Sequence, residues 1–205
     1  MRSKFDEQLA LLNRDLTKMG SLCEEALALA AKALANADGE TAAKIAPIDS
    51  EIDQMERTIE SLCLKLLLQQ QPVARDLRQI SAALKMITDM ERIGDQASDI
   101  AEIIGFLNGR IGSDAQYICQ MAVAAMRMVT ESVEAYVKRD VAMAGATIQH
   151  DDVVDDLFLK VKNSLIQMIS ENPKDGEYAL DLLMIAKYFE RIGDHATNIA
   201  EWVVF

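Results

Sequence analysis

The chain has 205 residues, half of them apolar and 26% charged, with 21 Lys and Arg against 33 Asp and Glu for a net charge of −12. Enough apolar side chains are present to build a core, so a disordered chain is excluded. The acidity sets nucleic acid and anionic lipid aside as partners, because both would be repelled.

Helical periodicity and breaker residues predict six helices over 5–36, 40–70, 74–107, 114–138, 141–171 and 175–205. Three prolines and nine glycines are too few for a strand-and-turn fold. The opening residues Met1–Gln8 mix charges of both signs and carry no signal-peptide core. Asp38 and Asp140 are the expected N-caps of the second and fifth helices, each able to accept from an orphan amide. Pro47 falls inside the second helix and must kink it or delay its regular start. Pro72 and Pro173 stand where the chain has to reverse, and Gly105, Gly109 and Gly112 around Arg110 make the best linker. The longest apolar runs, Ser61–Leu68 and Cys119–Met126, fall short of the about twenty residues that span a bilayer, so a cytoplasmic protein is expected. Cys23, Cys63 and Cys119 lack metal-finger or disulfide spacing and read as buried reduced thiols.

The chain repeats itself. Met90–Glu102 and Phe189–Glu201 share nine of thirteen residues at an offset of 99, and Asp38, Asp49 and Asp53 match Asp140, Asp151 and Asp155 at an offset of 102. The expected architecture is therefore all-α, a tandem pair of antiparallel three-helix bundles with pseudo-twofold internal symmetry. The units are expected over 1–109 and 110–205, each long enough to bury a core.

On a helical wheel of the third helix, Leu77, Ile80 and Ile87 fall in one sector around Leu84, read as the buried face. Further along, that sector holds Glu91, Asp95, Asp99 and Glu102. The sixth helix places Glu190, Asp194, Asn198 and Glu201 beneath Leu183 in the same way. Hairpins reversing near 72–73 and 173–174 bring Asp49 and Asp53 level with the first set, and Asp151 and Asp155 level with the second. Five partly desolvated carboxylates cost several kcal/mol per unpaired ion, too much for a domain stable by roughly 5–15 kcal/mol. Raised pKa values, ion pairs to Arg92 and Arg191, or bound multivalent cations would compensate. All-oxygen ligands suit magnesium, manganese or iron. Asp49, Asp53, Glu91, Asp95 and Asp99 are one candidate cation site, and Asp151, Asp155, Glu190, Asp194 and Asn198 the other. Gly94 and Gly193 each cost about 1 kcal/mol inside a helix and need a packing reason. His195 follows Asp194 as a further ligand candidate or a polar neighbour, with Gln96 as its counterpart. His150 reads as a surface residue, and no Glu-x-x-His pair of a di-iron bundle is present. Two rival readings are a metal-dependent enzyme with a polynuclear carboxylate site and a metal-free acidic adaptor.

The duplicated Glu-Arg-Ile-Gly-Asp motifs, the opening Phe5-Asp6-Glu7-Gln8-Leu9 and the Arg139-Asp140 helix start resemble the PhoU family of phosphate-signalling regulators over nearly the whole chain. The resemblance implies two three-helix bundles, carboxylate-lined sites for metals with iron and zinc among them, and a cytoplasmic negative regulator of the phosphate response that is not an enzyme. It further implies a homodimer linking a phosphate ABC transporter, through its ATP-binding subunit, to a sensor histidine kinase. Asn198 replaces the expected acid of the second unit, and the last helix stops early by family standards.

Overall fold

The computed structural model of the chain describes residues 2–69, 73–107, 109–112 and 115–205. All regular structure among them is helical. The first unit contains α1 (Arg2–Asn36), the single turn α2 (Gly39–Ala42), α3 (Ile45–Gln69) and α4 (Ala74–Phe106). The second contains α5 (Gln116–Lys138), α6 (Val141–Gln149), α7 (Asp151–Glu171) and α8 (Gly176–Val204), with a 3-10 turn, Pro173–Asp175, before α8. The molecule is thus a pair of antiparallel three-helix bundles, α1–α3–α4 and α5–α7–α8.

The duplication is visible in the local geometry. Both first helices end in a left-handed residue, Ala37 at φ 50° and Arg139 at φ 57°. The following amide reaches back five residues in each case, Asp38 to the Ala33 carbonyl and Asp140 to the Ala135 carbonyl, both at 2.9 Å. Asp38 then accepts from the amides of Glu40 and Thr41, and Asp140 from that of Met143, so both act as the N-caps the sequence predicts.

The two expected second helices are both interrupted. In the first unit the break falls at residues 43–44, which places Pro47 third in α3, where an amide has no intrahelical acceptor to lose. Pro47 therefore delays the regular helix. Gln149 occupies the matching position, so α6 runs on to it and α7 begins after His150. Pro173 opens the turn before α8, while Pro72 lies outside the described residues.

Packing differs from the wheel reading in one respect. The buried line of α4 runs through Ile80, Ala83, Ile87, Met90, Gly94, Ala97 and Ile104, whereas Leu84 is half-buried and Leu77 is 45% exposed. The sector shared by leucines and carboxylates is a flank of the helix, so the acids lie at the rim of the bundle and not in its interior. The units also do not keep separate cores. Helix α4 packs on α8 and α1 on α5, and Leu16, Ile52 and Ile93 belong to the same apolar cluster as Met128, Val154 and Phe189. At the seam, Arg110 pairs with Asp175 at 2.6 Å and stacks 4.1 Å above the Tyr178 ring, anchoring the linker to the start of α8. No helix among the described residues is long and apolar enough to cross a membrane. Cys23 and Cys63 are buried and Cys119 half-buried, all three unbridged.

Candidate metal centre

Antiparallel pairing of α3 and α4 sets Asp49 and Asp53, one turn apart, opposite Asp95. One oxygen from each lies within 4.8 Å of the others, and all three residues are half-buried. Gly94 makes the approach possible: a β-carbon there would stand 2.7 Å from Asp49 Oδ1. Ser98 donates to Asp49 Oδ2 at 2.8 Å, while Oδ1 is buried without a hydrogen-bond partner. Burial pushes the Asp49 carboxyl above its ordinary value; the Ser98 hydrogen bond opposes this, and the charges of Asp95, Asp53 and Asp99 add to it. Glu91, beside the trio, is likewise raised by burial and by Asp95. Arg92 spans 3.4 Å to Glu91 and 2.9 Å to Asp95 and neutralises the outer side. Asp99 lies beside Tyr188 of α8, and burial followed by the Asp99 charge raises that hydroxyl.

The second unit repeats the glycine contact with other compensation. A β-carbon at Gly193 would lie 3.2 Å from Asp151 Oδ1. Burial, then Asp155, Asp194 and Glu190, push the Asp151 carboxyl up to about 6. Asp194 is also raised, by burial and by Glu190, against the opposing charge of Lys187. The cation that pairs with Glu190, at 2.6 Å, is Lys187, whereas among the described residues Arg191, one of the compensating cations considered, makes no ion pair with it. Thr88 stands at the matching place in the first unit. Asp155, Asp194 and Asn198 are exposed, and among the described residues no second carboxylate trio closes to 4.8 Å.

Asn198 faces the other unit. It donates to Asp89 Oδ1 at 3.1 Å, and His195 Nδ1 lies 2.8 Å from the same oxygen. His195 Nε2 is 3.3 Å from Gln96 Nε2. Asp89, Gln96 and Asp99 correspond to Tyr188, His195 and Asn198 at the offset of 99. The pairs Asp89–Asn198 and Asp99–Tyr188 are therefore two copies of one α4–α8 contact across the pseudo-twofold axis. His150 sits 3.3 Å from Glu131 and is half-buried.

The wheel left out Ser98 and Lys187. Ser98 had a signal, because its counterpart is Thr197, a hydroxyl one turn beyond the glycine in both motifs. Lys187 had none, having no basic counterpart. Chemically, the trio offers oxygen donors only, with one buried oxygen unfilled. That fits a hard cation (magnesium, manganese or iron) better than zinc, which favours nitrogen and sulfur. Cys23 lies near Asp49, yet burial lifts its thiol to about 12, so it stays protonated and donates to the Met90 carbonyl.

Comparison with known proteins gives a consistent family. The PhoU domain family model matches residues 16–104 and 118–203, one match per unit. The phosphate-specific transport system accessory protein PhoU homolog of Clostridium acetobutylicum is 36% identical, over 100% of this chain and 94% of that protein. The homolog of the same description from Pseudomonas aeruginosa is 34% identical over 98% of this chain and 84% of that one. The crystal structure of PhoU from Pseudomonas aeruginosa superposes with a TM-score of 0.93 at 34% identity, covering 98% of this chain and 97% of that one. The phosphate transport system regulatory protein PhoU from Streptococcus pneumoniae superposes at 0.88 with 26% identity, over 98% and 95%.

Proposed function

The chain belongs to the PhoU family, and from that membership we propose that it is a cytoplasmic, non-enzymatic regulator that restrains phosphate uptake and the phosphate response when phosphate is plentiful. The observation that carries this reading is the full-length correspondence, in sequence and in fold, with proteins described as accessory or regulatory components of phosphate transport. In this role the protein, as a homodimer, links the ATP-binding subunit of the phosphate ABC transporter to a sensor histidine kinase.

The first-unit trio supplies the cation-responsive part of the reading. Asp49, Asp53 and Asp95 would hold a hard cation, with Glu91 beside them. The cation would supply the positive charge that offsets their mutual repulsion, stiffening the α3–α4 pair. In the second unit Lys187 already offsets Glu190, which favours a metal-free acidic face there.

A strain lacking the gene tests the regulatory role. At high phosphate it should take up more phosphate and express phosphate-starvation genes, with the wild-type chain restoring repression. A triple Asp49→Asn, Asp53→Asn, Asp95→Asn variant should restore it only partly. Unchanged uptake and gene expression in the deletion strain would overturn the reading.

A further inference from the structure

Three arginines line one cavity of this acidic chain. Arg75 and Arg78 come from the start of α4 and Arg139 from the corner between α5 and α6. They share a space of about 260 Å³ with Tyr136, Trp202 and Phe205. The cavity is braced by the Gln79 side chain and backbone. Arg139 donates to Gln79 Oε1 at 2.6 Å, and the Tyr136 hydroxyl donates to the Gln79 carbonyl at 2.8 Å. Arg78 stands 5.8 Å from the centre of the Phe205 ring. The ion pairs among the described residues leave all three arginines without a carboxylate partner.

The duplication shows that the fold does not require this basic cluster. At the offsets of 99 and 102, Arg75, Arg78 and Arg139 correspond to Lys174, Glu177 and Ala37, and Ala82 at the cavity edge corresponds to Asp181. The equivalent face of the other half thus carries one cation and two acids. Burial and the neighbouring Glu177 charge raise the Asp181 carboxyl there.

We propose that this cavity binds a phosphate group, free or as a monoester whose apolar body lies against Trp202. Each guanidinium is a planar fork of donors, and three of them arriving from two directions match the three terminal oxygens of a phosphate dianion. A carboxylate offers only two oxygens in one plane and leaves a fork unused. The proposal does not rest on the regulatory reading, since its test involves neither partner nor uptake.

Trp202 is the sole tryptophan, so its emission reports from the cavity wall. The full chain is titrated at constant ionic strength with inorganic phosphate, phenyl phosphate and benzoate. A saturable emission change with a phosphate, at least about tenfold tighter than with benzoate, is expected. Arg78→Gln and Arg139→Ala should each weaken it by about tenfold or more, with unchanged circular dichroism, while Lys174→Ala binds as wild type. Arg75→Lys, which keeps the charge and loses the fork, should fall between. Tighter binding of phenyl phosphate assigns the ester form, and equal binding assigns the free ion. No saturable change, a benzoate response equal to that of the phosphates, or arginine variants that bind as wild type would overturn the proposal.

Discussion

A β-carbon added at residue 94 would meet Asp49 Oδ1 at 2.7 Å and Ile52 Cδ1 at 3.0 Å, while one added at residue 193 would meet Asp151 Oδ1 at 3.2 Å. Replacing a helical glycine by alanine gains about 1 kcal/mol in propensity, but overpacking costs about 1–3 kcal/mol. Gly94→Ala should therefore lose stability, and Gly193→Ala should be close to neutral, when the two are compared by urea unfolding. A stabilised Gly94→Ala would mean that Asp49 swings clear of α4 at no cost. Both glycines were legible in the sequence as positions needing a packing reason. What they accommodate was not, because that depends on the rotation of α3 against α4. The same limit explains Leu77: a wheel gives angles between side chains but not which sector meets a neighbour.

At the scale of helix pairs, α7 and α8 hold a carboxyl that prefers its proton. Asp151 rises from an ordinary 3.8 to about 6 through burial and the charges of Asp155, Asp194 and Glu190. Between those two values the folded chain binds more protons than the unfolded one, so cation-free protein gains stability as pH falls through that window and loses it as pH rises through it. Asp151→Asn should flatten that slope, leaving the smaller part due to the other raised carboxyls, and raise stability at pH 7 by about 1–2 kcal/mol. The figure is well below the full conversion of the shift because solvent reaches this half-buried group. Losing a negative charge from the first turn of α7 takes back a few tenths of a kcal/mol. Urea melts of both proteins at pH 4.5 and 7.5 with chelator check this, and an equal slope in the two would contradict it. The helices themselves were readable from periodicity, and the caps from Asp38 and Asp140. The different break points in the two units follow from Pro47 facing Gln149, a local asymmetry that the repeat alignment alone does not resolve.

Across the whole molecule, the two units share one apolar cluster through the α4–α8 and α1–α5 contacts. Unfolding should therefore be a single cooperative transition, with calorimetric and van't Hoff enthalpies agreeing; two separated transitions would contradict the shared core. The repeat was plain in the sequence, but its interface was not. Asp99 and Asn198 read as site residues because they fall in the acidic sector, whereas the Asn198 hydrogen bond to Asp89 and the placement of Asp99 beside Tyr188 belong to the contact between units. On the acidic rim the acids that close to within 4.8 Å of one another are Asp49, Asp53 and Asp95, and the most direct test of a cation there is a manganese titration followed by electron paramagnetic resonance. The wild-type chain should bind the ion, with affinity reduced by about tenfold or more in Asp49→Asn and in Asp95→Asn. Equal binding by all three proteins, or none by the wild type, would contradict the cation site.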